Sequence, residues 1–248
     1  MTTILAASIV RNARRFIRPV VASLAWVDTH VIVDDHSTDG TGALIDELLA
    51  TNPRLRLMPP WFSGPMLPST ENTRDLSMEQ HIRNRFLDML YEDYQHDALV
   101  LVDADELMHS SLRQLIERSL GEGQFDGIAL ETNHLVSKEA RLRVFEQCWN
   151  GVKMVDPHVR ILFEKRSYHP GAWADVPDCF IQPTERTRCS SGPYHFHLKY
   201  LEWLRERNLA FPHLPAHLPS VSVSTSIEPL PARLPTEVEQ LIDTYLAS

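Results

Sequence analysis

The chain has 248 residues, of which 43% are hydrophobic, and 24 basic against 33 acidic residues give it a formal net charge of −9. This length suits one domain with or without an appendage, and the acidic balance, with no basic stripe, disfavours nucleic-acid binding. The three cysteines have no CxxC spacing and do not indicate a disulfide framework or a zinc site. The N-terminus is unlike a signal peptide, and no apolar run is long enough for a membrane span. We therefore expect a cytoplasmic protein.

Alternating apolar runs and amphipathic segments predict an α/β domain with a mainly parallel sheet flanked by helices. In chain order, we predict strands at 3–10, 30–35 and 98–102 and a fourth within 121–132. The helices between them are predicted at about 19–25, 42–50, 75–94 and 110–120. The stretch 58–73 is rich in proline and turn formers and predicts a long loop, whose Trp61 and Phe62 we expect to cover a binding site.

The second half has a looser pattern. Residues 159–165 alternate like a half-exposed strand, and 193–208 pass from a short strand into an amphipathic helix. Six prolines between 212 and 235 predict a linker or surface arm outside the core, followed by a short helix at 235–247. That helix could pack on its own domain or on another subunit, and the oligomeric state stays open.

Polar residues follow three of the four early strands, at the edge where open α/β sheets bind ligands. They are Arg11 and Asn12, then Asp34 and Asp35, then Asp103, Asp105 and Glu106. On an extended strand, Asp103 and Asp105 would share one face with Cα atoms about 7 Å apart. Paired carboxylates favour a cation between them, and hard oxygen ligands suit magnesium or manganese. The alternative is a solvated strand end that caps the helix near Ser110.

Four stretches, in this order, resemble motifs of family 2 glycosyltransferases. They are SIVRNARRF (8–16), HVIVDDHSTDGTGALI (30–45), EQHIRNRFLDML (79–90) and VLVDADEL (100–107). The resemblance covers about residues 3–130 clearly and 155–205 loosely. It implies a GT-A (Rossmann-like) domain at 1–210, with a nucleotide-binding half at about 1–130 and an acceptor half at about 131–210. The Pro-rich arm and the last helix, 211–248, would be an extension.

The resemblance also implies roles for individual residues. Arg11 and Asn12 would line the base pocket, Asp35 would bind the base or ribose, and Arg83 would lie near the nucleotide. Asp103 would face the ribose and metal, and Asp105 would ligate the metal, manganese or magnesium. The structural alternative is that Asp35 and Asp39 shape a turn and that Arg83 is a solvated helix residue.

The same resemblance implies a catalytic base and a further metal ligand in the second half. Asp175 matches the acid of a Gly-x-x-His-Glu pattern, although Ala174 stands where that pattern has His. Asp178 and Glu131 are the rival bases. A histidine of the C-terminal region would close the metal site; the spacing from Glu202 places this ligand at His195, with His197 as the alternative.

These features predict a metal-dependent glycosyltransferase that passes a sugar from a nucleoside-diphosphate donor, with UDP expected, to an unidentified acceptor hydroxyl with inversion. A sugar-nucleotide nucleotidyltransferase is an alternative enzyme class. Enzymes of that class usually have a glycine-rich phosphate loop after the first strand, but the stretch ASIVRNARR (7–15), which includes the end of this strand, contains no glycine. A GT-A-like nucleotide-binding module without catalysis is the non-enzymatic alternative. Slow metal-dependent release of UDP would exclude the pure binding module.

Overall fold

The computed structural model describes residues 1–64, 76–122, 127–135, 137–143, 149–155, 161–166, 176–181, 187–198, 201, 226–230 and 233–247. In chain order these residues form β1 (Ile4–Val10), α1 (Ile17–Ser23), β2 (Thr29–Asp34), α2 (Thr41–Thr51), β3 (Leu55–Leu57), α3 (Leu76–Asp93), β4 (Ala98–Leu101), β5 (Glu106–Met108), α4 (Leu112–Glu122), β6 (Gly127–Leu135), β7 (Ala140–Arg143), β8 (Trp149–Val155), β9 (Ile161–Arg166), β10 (Val176–Ile181), β11 (Thr187–His197), β12 (Ser226–Pro229) and α5 (Thr236–Ala247).

The N-terminal half is a parallel sheet with the strand order β4-β1-β2-β3. Every residue of β1 is buried, which is expected of a central parallel strand covered on both faces. Alternate residues of β1 face different layers: Leu5 and Ile9 join the cluster that includes α3, whereas Val10 packs with residues of α1 and α2. The predicted α/β class with a helix-flanked parallel sheet is confirmed.

Beyond β4 the sheet becomes mixed. The strand β8 runs antiparallel to both β4 and β6, and β6 pairs antiparallel with β7. The long strand β11 runs parallel to β6 and antiparallel to β5. The hairpin of β9 and β10 forms a separate two-stranded sheet whose residues contact α3. The second half therefore adds strands to the edge of the first sheet and brings β11 next to the segment that follows β4.

The expectation that the Pro-rich stretch lies outside the core is wrong at its C-terminal end. The strand β12 pairs antiparallel with β7, and Leu234 is 4% exposed within the main hydrophobic cluster. Val238 and Ile242 of α5 belong to the same cluster as Val20 and Leu24, so α5 packs on its own chain against α1. Apolar residues spaced by four on one helical face explain this attachment.

Candidate functional site

The carboxyl ends of β1, β2 and β4 lie side by side because β1 pairs in parallel with both other strands. The backbone N–H of Asp35 donates to the carbonyl of Val10 (2.8 Å), and that of Val102 donates to the carbonyl of Ala7 (3.0 Å). The structure thus brings to one edge the polar residues that follow these strands in the sequence. They are Arg11, Asn12, Asp34, Asp35, Asp103 and Asp105.

The turn after β2 is tied to the loop after β1. Asp39 accepts hydrogen bonds from the backbone N–H of Arg14 (3.1 Å) and from both the N–H and the hydroxyl of Thr41 (3.0 and 2.5 Å). Burial raises the pKa of Asp39, but these hydrogen bonds outweigh it and lower the pKa below its ordinary value. Asn12, at a φ of 50°, accepts the N–H of Thr38 (2.9 Å) through its side chain. Asp39 therefore shapes the turn.

Asp35 differs from an ordinary turn aspartate. Its side chain is 0% exposed, and its Oδ1 lies 3.5 Å from Nδ1 of His36. His36 has a φ of 56°, a conformation that is uncommon for residues other than glycine. Because burying a carboxylate costs free energy unless polar groups meet it, this position is not explained by a solvated turn.

The DAD triplet, Asp103–Asp105, lies in a turn, which corrects the expectation that Asp103 and Asp105 share a face of an extended strand. The strand β4 ends at Leu101, and the N–H of Glu106 donates to the carbonyl of Asp103 (3.2 Å). In return, Oε2 of Glu106 accepts the N–H of Asp103 (3.0 Å). The turn leaves 57% of the Asp103 side chain exposed but 25% of that of Asp105.

The third acidic residue of this segment, Glu106, has a buried carboxylate that contacts a buried histidine. Its side chain is 1% exposed, and its Oε1 lies 2.9 Å from Nε2 of His195, which is itself 0% exposed. The other ring nitrogen of His195 lies 3.1 Å from the hydroxyl of Thr132 on β6. Both nitrogens therefore lie near protein groups in the interior, although Nε2 makes no hydrogen bond among the described residues. The assignment of His195 as a metal ligand stays a prediction.

His197, the alternative ligand, lies beside the DAD turn. Its Nε2 is 3.0 Å from Oδ2 of Asp105, and its Nδ1 is 2.9 Å from Nδ1 of His134. The register of β11 with β6 sets both histidine positions, since His195 lies opposite Thr132 and His197 opposite His134. Burial, aided by the nearby His197 and His195, lowers the pKa of His134 to about 3. A neutral His134 can share a hydrogen bond with His197 and so orient its ring.

Arg83 reaches the same edge from α3. Its Nη1 lies 3.8 Å from Oδ1 of Asp103, and 20% of its side chain is exposed. Arg83, Phe86 and Asp103 line a small cleft at the ends of β1 and β4. This contact disfavours the alternative that Arg83 is merely a solvated helix residue.

The described part of the predicted loop, residues 58–64, carries an aromatic cluster. The ring of Trp61 stacks on Phe86 of α3 (centroids 5.6 Å apart), and Phe62 contacts both Trp61 and His36 (5.3 and 5.7 Å). The indole Nε1 of Trp61 is buried and has no acceptor among the described residues. An unmet buried donor is costly, so it indicates a polar partner supplied by another molecule or by residues beyond those described.

The three candidate bases are described by the structure to different extents. Asp175 lies outside the described residues. Asp178 lies on β10, in register with Glu164 of β9, and its side chain is not described. Glu131 on β6 forms an ion pair with Arg141 (2.8 Å), so its carboxylate is already engaged by a cation.

The donor set at the DAD turn suits a divalent metal. Asp105 and His197 offer a carboxylate oxygen and an imidazole nitrogen within 3.0 Å of each other, a pair compatible with manganese. Among the described residues, no group of three His, Cys, Asp or Glu side chains forms a complete metal site. Two protein ligands suit an ion that takes its remaining ligands from water and substrate phosphates.

Within the part of the chain that the structure describes, no helix is both long enough and apolar enough to cross a bilayer.

Comparison with known proteins gives structural likenesses only. No family model matches the sequence, and no curated protein matches it significantly. S. aureus TarS is 14% identical with a TM-score of 0.48, over 79% of this chain and 36% of that chain. Residues 1–349 of TarS in complex with UDP-GlcNAc are 17% identical with a TM-score of 0.41, over 54% of this chain and 35% of that one. The mannosyltransferase PcManGT from Pyrobaculum calidifontis, in complex with GDP-Man and Mn²⁺, is 19% identical with a TM-score of 0.39, over 52% of this chain and 35% of that chain.

These alignments span only part of the other proteins. The chain covers between 35% and 46% of the length of the structures named here and of TarS 1–349 in complex with UDP. A likeness at this level does not identify a reaction, because one fold can carry many different functions.

Proposed function

We propose that the chain is a metal-dependent glycosyltransferase that passes a sugar from a nucleoside-diphosphate donor, with UDP expected, to an acceptor hydroxyl. One observation carries the proposal: the Asp105–His197 contact stands next to the Asp103–Arg83 contact at the ends of three parallel strands. A carboxylate and an imidazole that could share a metal ion thus lie beside a cation and an exposed carboxylate, and this combination suits a diphosphate and a ribose. A site for this donor needs both a cation and a carboxylate. The diphosphate is anionic and binds the cation, whereas the ribose hydroxyls can donate hydrogen bonds to the carboxylate.

The nucleoside would occupy the edge formed by β1 and β2. Arg11 and Asn12 would line the base pocket, and Asp35 would bind the base or ribose. The aromatic pair Trp61 and Phe62 lies against His36, the neighbour of Asp35, and would cover this pocket. The N–H of Trp61, which has no acceptor among the described residues, supports this role because a bound nucleotide offers acceptors for it.

The diphosphate would lie across the DAD turn. Asp105 and His197 would hold the metal, with Asp103 facing the ribose and metal and Arg83 near the phosphates. When bound, the ion would act as a Lewis acid that offsets the charge developing on the leaving diphosphate. Glu106 and His195 would hold the DAD turn in position, because Glu106 accepts the N–H of Asp103 and contacts His195.

An inverting transfer also requires a base that takes the proton of the acceptor hydroxyl as it attacks. Asp175 keeps this role in the proposal. The ion pair with Arg141 makes Glu131 a weaker rival. Replacing Asp175 by Asn should abolish transfer while leaving nucleotide binding intact.

Donor hydrolysis tests the proposal without knowledge of the acceptor. A panel of UDP-sugars and GDP-sugars incubated with the protein and Mn²⁺ should release nucleoside diphosphate slowly from at least one donor. Release should stop on removal of the metal and in Asp105→Asn, but not in Asp46→Asn, a matched change on the exposed face of α2. No release from any donor would leave a binding module as the better reading, and release that Asp105→Asn does not alter would contradict the assigned site.

A further inference from the structure

A second cavity, of about 760 Å³, lies where α1, α2 and α5 meet. Its walls include Arg14 and Arg15 from the turn before α1, Arg18 of α1, Gly40 and Glu47 of the α2 region, and Thr244 of α5. None of its lining residues belongs to the DAD turn, to α3 or to β11. The volume is typical of sites for small molecules.

The cavity is positive in a chain that is negative as a whole. Among the residues that line it, three arginines stand against one carboxylate, that of Glu47, and the carboxylate of Asp39 lies nearby on the backbone N–H of Arg14. The whole chain, in contrast, carries a net charge of −9. Arg18 and Glu47 form an ion pair at 2.9 Å, but their side chains are 48% and 63% exposed. Pairs exposed to this degree are weak, so Arg18 can exchange Glu47 for an anionic ligand at little cost.

The backbone around Gly40 leaves room for Arg14. Gly40 has a φ of 93°, and a Cβ at this position would lie 3.4 Å from Nη1 of Arg14. Gly40 is also the N-cap of α2 and supplies no side-chain cap. The carboxylate of Asp39 already accepts the N–H of Thr41 in the first turn of α2, so the positive field at this wall comes from the guanidinium groups and not from the helix end.

We propose that this cavity binds the phosphate group of a second ligand, separate from the nucleotide donor. Guanidinium groups match phosphate because their forked donors bond two oxygens at once. The cavity is larger than a phosphate ion, and Pro19 and Leu44 give it an apolar wall against which the rest of the ligand would lie. The phosphate could belong to a soluble phosphate ester or to the headgroup of a membrane lipid, since both present the same group.

Two probes distinguish these sources, both used without added metal. Calorimetric titration with glycerol 3-phosphate tests a soluble ester, and co-sedimentation with phosphatidylcholine vesicles, with and without phosphatidylglycerol, tests a headgroup. Arg18→Gln should weaken binding about tenfold, as expected from the loss of one charge-assisted contact. Glu47→Gln should strengthen binding, because it removes the competing carboxylate, and Arg118→Gln on α4 should leave it unchanged as the matched control.

The variants also separate this inference from the proposed function. Asp105→Ala should leave phosphate binding unchanged, and Arg18→Gln should leave metal-dependent UDP binding unchanged. The site is supported if either probe binds and if Arg18→Gln weakens this binding while Glu47→Gln strengthens it. Binding to neither probe, or binding indifferent to both substitutions, overturns it. Loss of UDP binding in Arg18→Gln would show that the cavity is part of the donor site and would also overturn the proposal.

Discussion

Oδ2 of Asp105 and Nε2 of His197 lie 3.0 Å apart although 92 residues separate them in the chain. The antiparallel pairing of β11 with β5 brings them together, and the N–H of Leu198 donates to the carbonyl of Asp105 (2.9 Å). The strand that closes the site is therefore supplied by the second half of the chain. This relationship gives His197 and His195, two residues apart, different expected roles.

We predict that His197→Ala impairs metal-dependent binding far more than folding. Loss of one of two protein ligands should weaken UDP binding in the presence of Mn²⁺ at least tenfold. The side chain is 16% exposed and its loss leaves a carboxylate that water can reach, so the free energy of unfolding should fall by only about 1 kcal/mol. Calorimetric titration and denaturant unfolding measure the two quantities.

His195→Ala is the matched comparison and should show the opposite balance. It leaves the carboxylate of Glu106, 1% exposed, without its histidine partner. Removing one partner of a buried pair costs about 3 kcal/mol or more of unfolding free energy. If His195→Ala folds with normal stability but loses metal-dependent binding, the ligand is His195 and the assignment of His197 is wrong.

We predict that Trp61→Phe weakens UDP binding several-fold without destabilising the protein. Phenylalanine keeps an aromatic ring on Phe86 but removes the buried N–H, whose hydrogen bond to a ligand would be worth about 1 kcal/mol. Protease cleavage in 58–73 should also slow on addition of UDP and Mn²⁺ in the wild type. Unchanged affinity together with unchanged cleavage would show that this loop does not cover the donor.

The free energy of unfolding should decrease as the pH is lowered, because His30 binds a proton more readily in the unfolded chain than in the folded protein. Burial lowers its pKa to about 3 in the folded protein, against an ordinary value of 6.5, and its Nε2 lies 3.1 Å from the hydroxyl of Ser8. The unfolded chain therefore takes up a proton below pH 6.5 that the folded chain refuses until about pH 3, so acid favours unfolding. Between pH 7 and pH 5 this group alone should cost about 2 kcal/mol.

The variant His30→Asn isolates this effect. Comparing each protein with itself at the two pH values removes the baseline cost of the substitution. The wild type should lose about 2 kcal/mol more unfolding free energy than the variant between pH 7 and pH 5, by denaturant unfolding. Parallel losses in the two proteins would mean that folding does not lower the pKa of His30.

The sequence predicts the first half of the fold well because its signals are local. The apolar runs of β1, β2 and β4 and the helical spacing of α3 each depend on residues close in the chain. Proline was a reliable guide at Pro19, which lies in the first turn of α1, although that helix begins two residues earlier, at Ile17.

The features of the site that the sequence does not predict depend on contacts between residues that are far apart in the chain. The carboxylate of Glu106, which accepts the N–H of Asp103 in the DAD turn, also contacts His195, 89 residues later, and no periodicity in the sequence predicts such a contact. The choice between His195 and His197 likewise follows from the register of β11 with β6. Thr132 and His134 were not singled out, although their spacing by two within an apolar strand marks them as polar groups on one face.

The central claim is that Asp105 holds a metal through which a nucleoside diphosphate binds. Calorimetric titration of UDP, with GDP for comparison, with and without Mn²⁺, on the wild type, Asp105→Ala and the exposed control Asp46→Ala tests it most directly. We predict UDP binding that requires Mn²⁺, is lost in Asp105→Ala and persists in Asp46→Ala. The absence of nucleotide binding under every condition, or binding that neither Mn²⁺ nor Asp105→Ala alters, would contradict the claim.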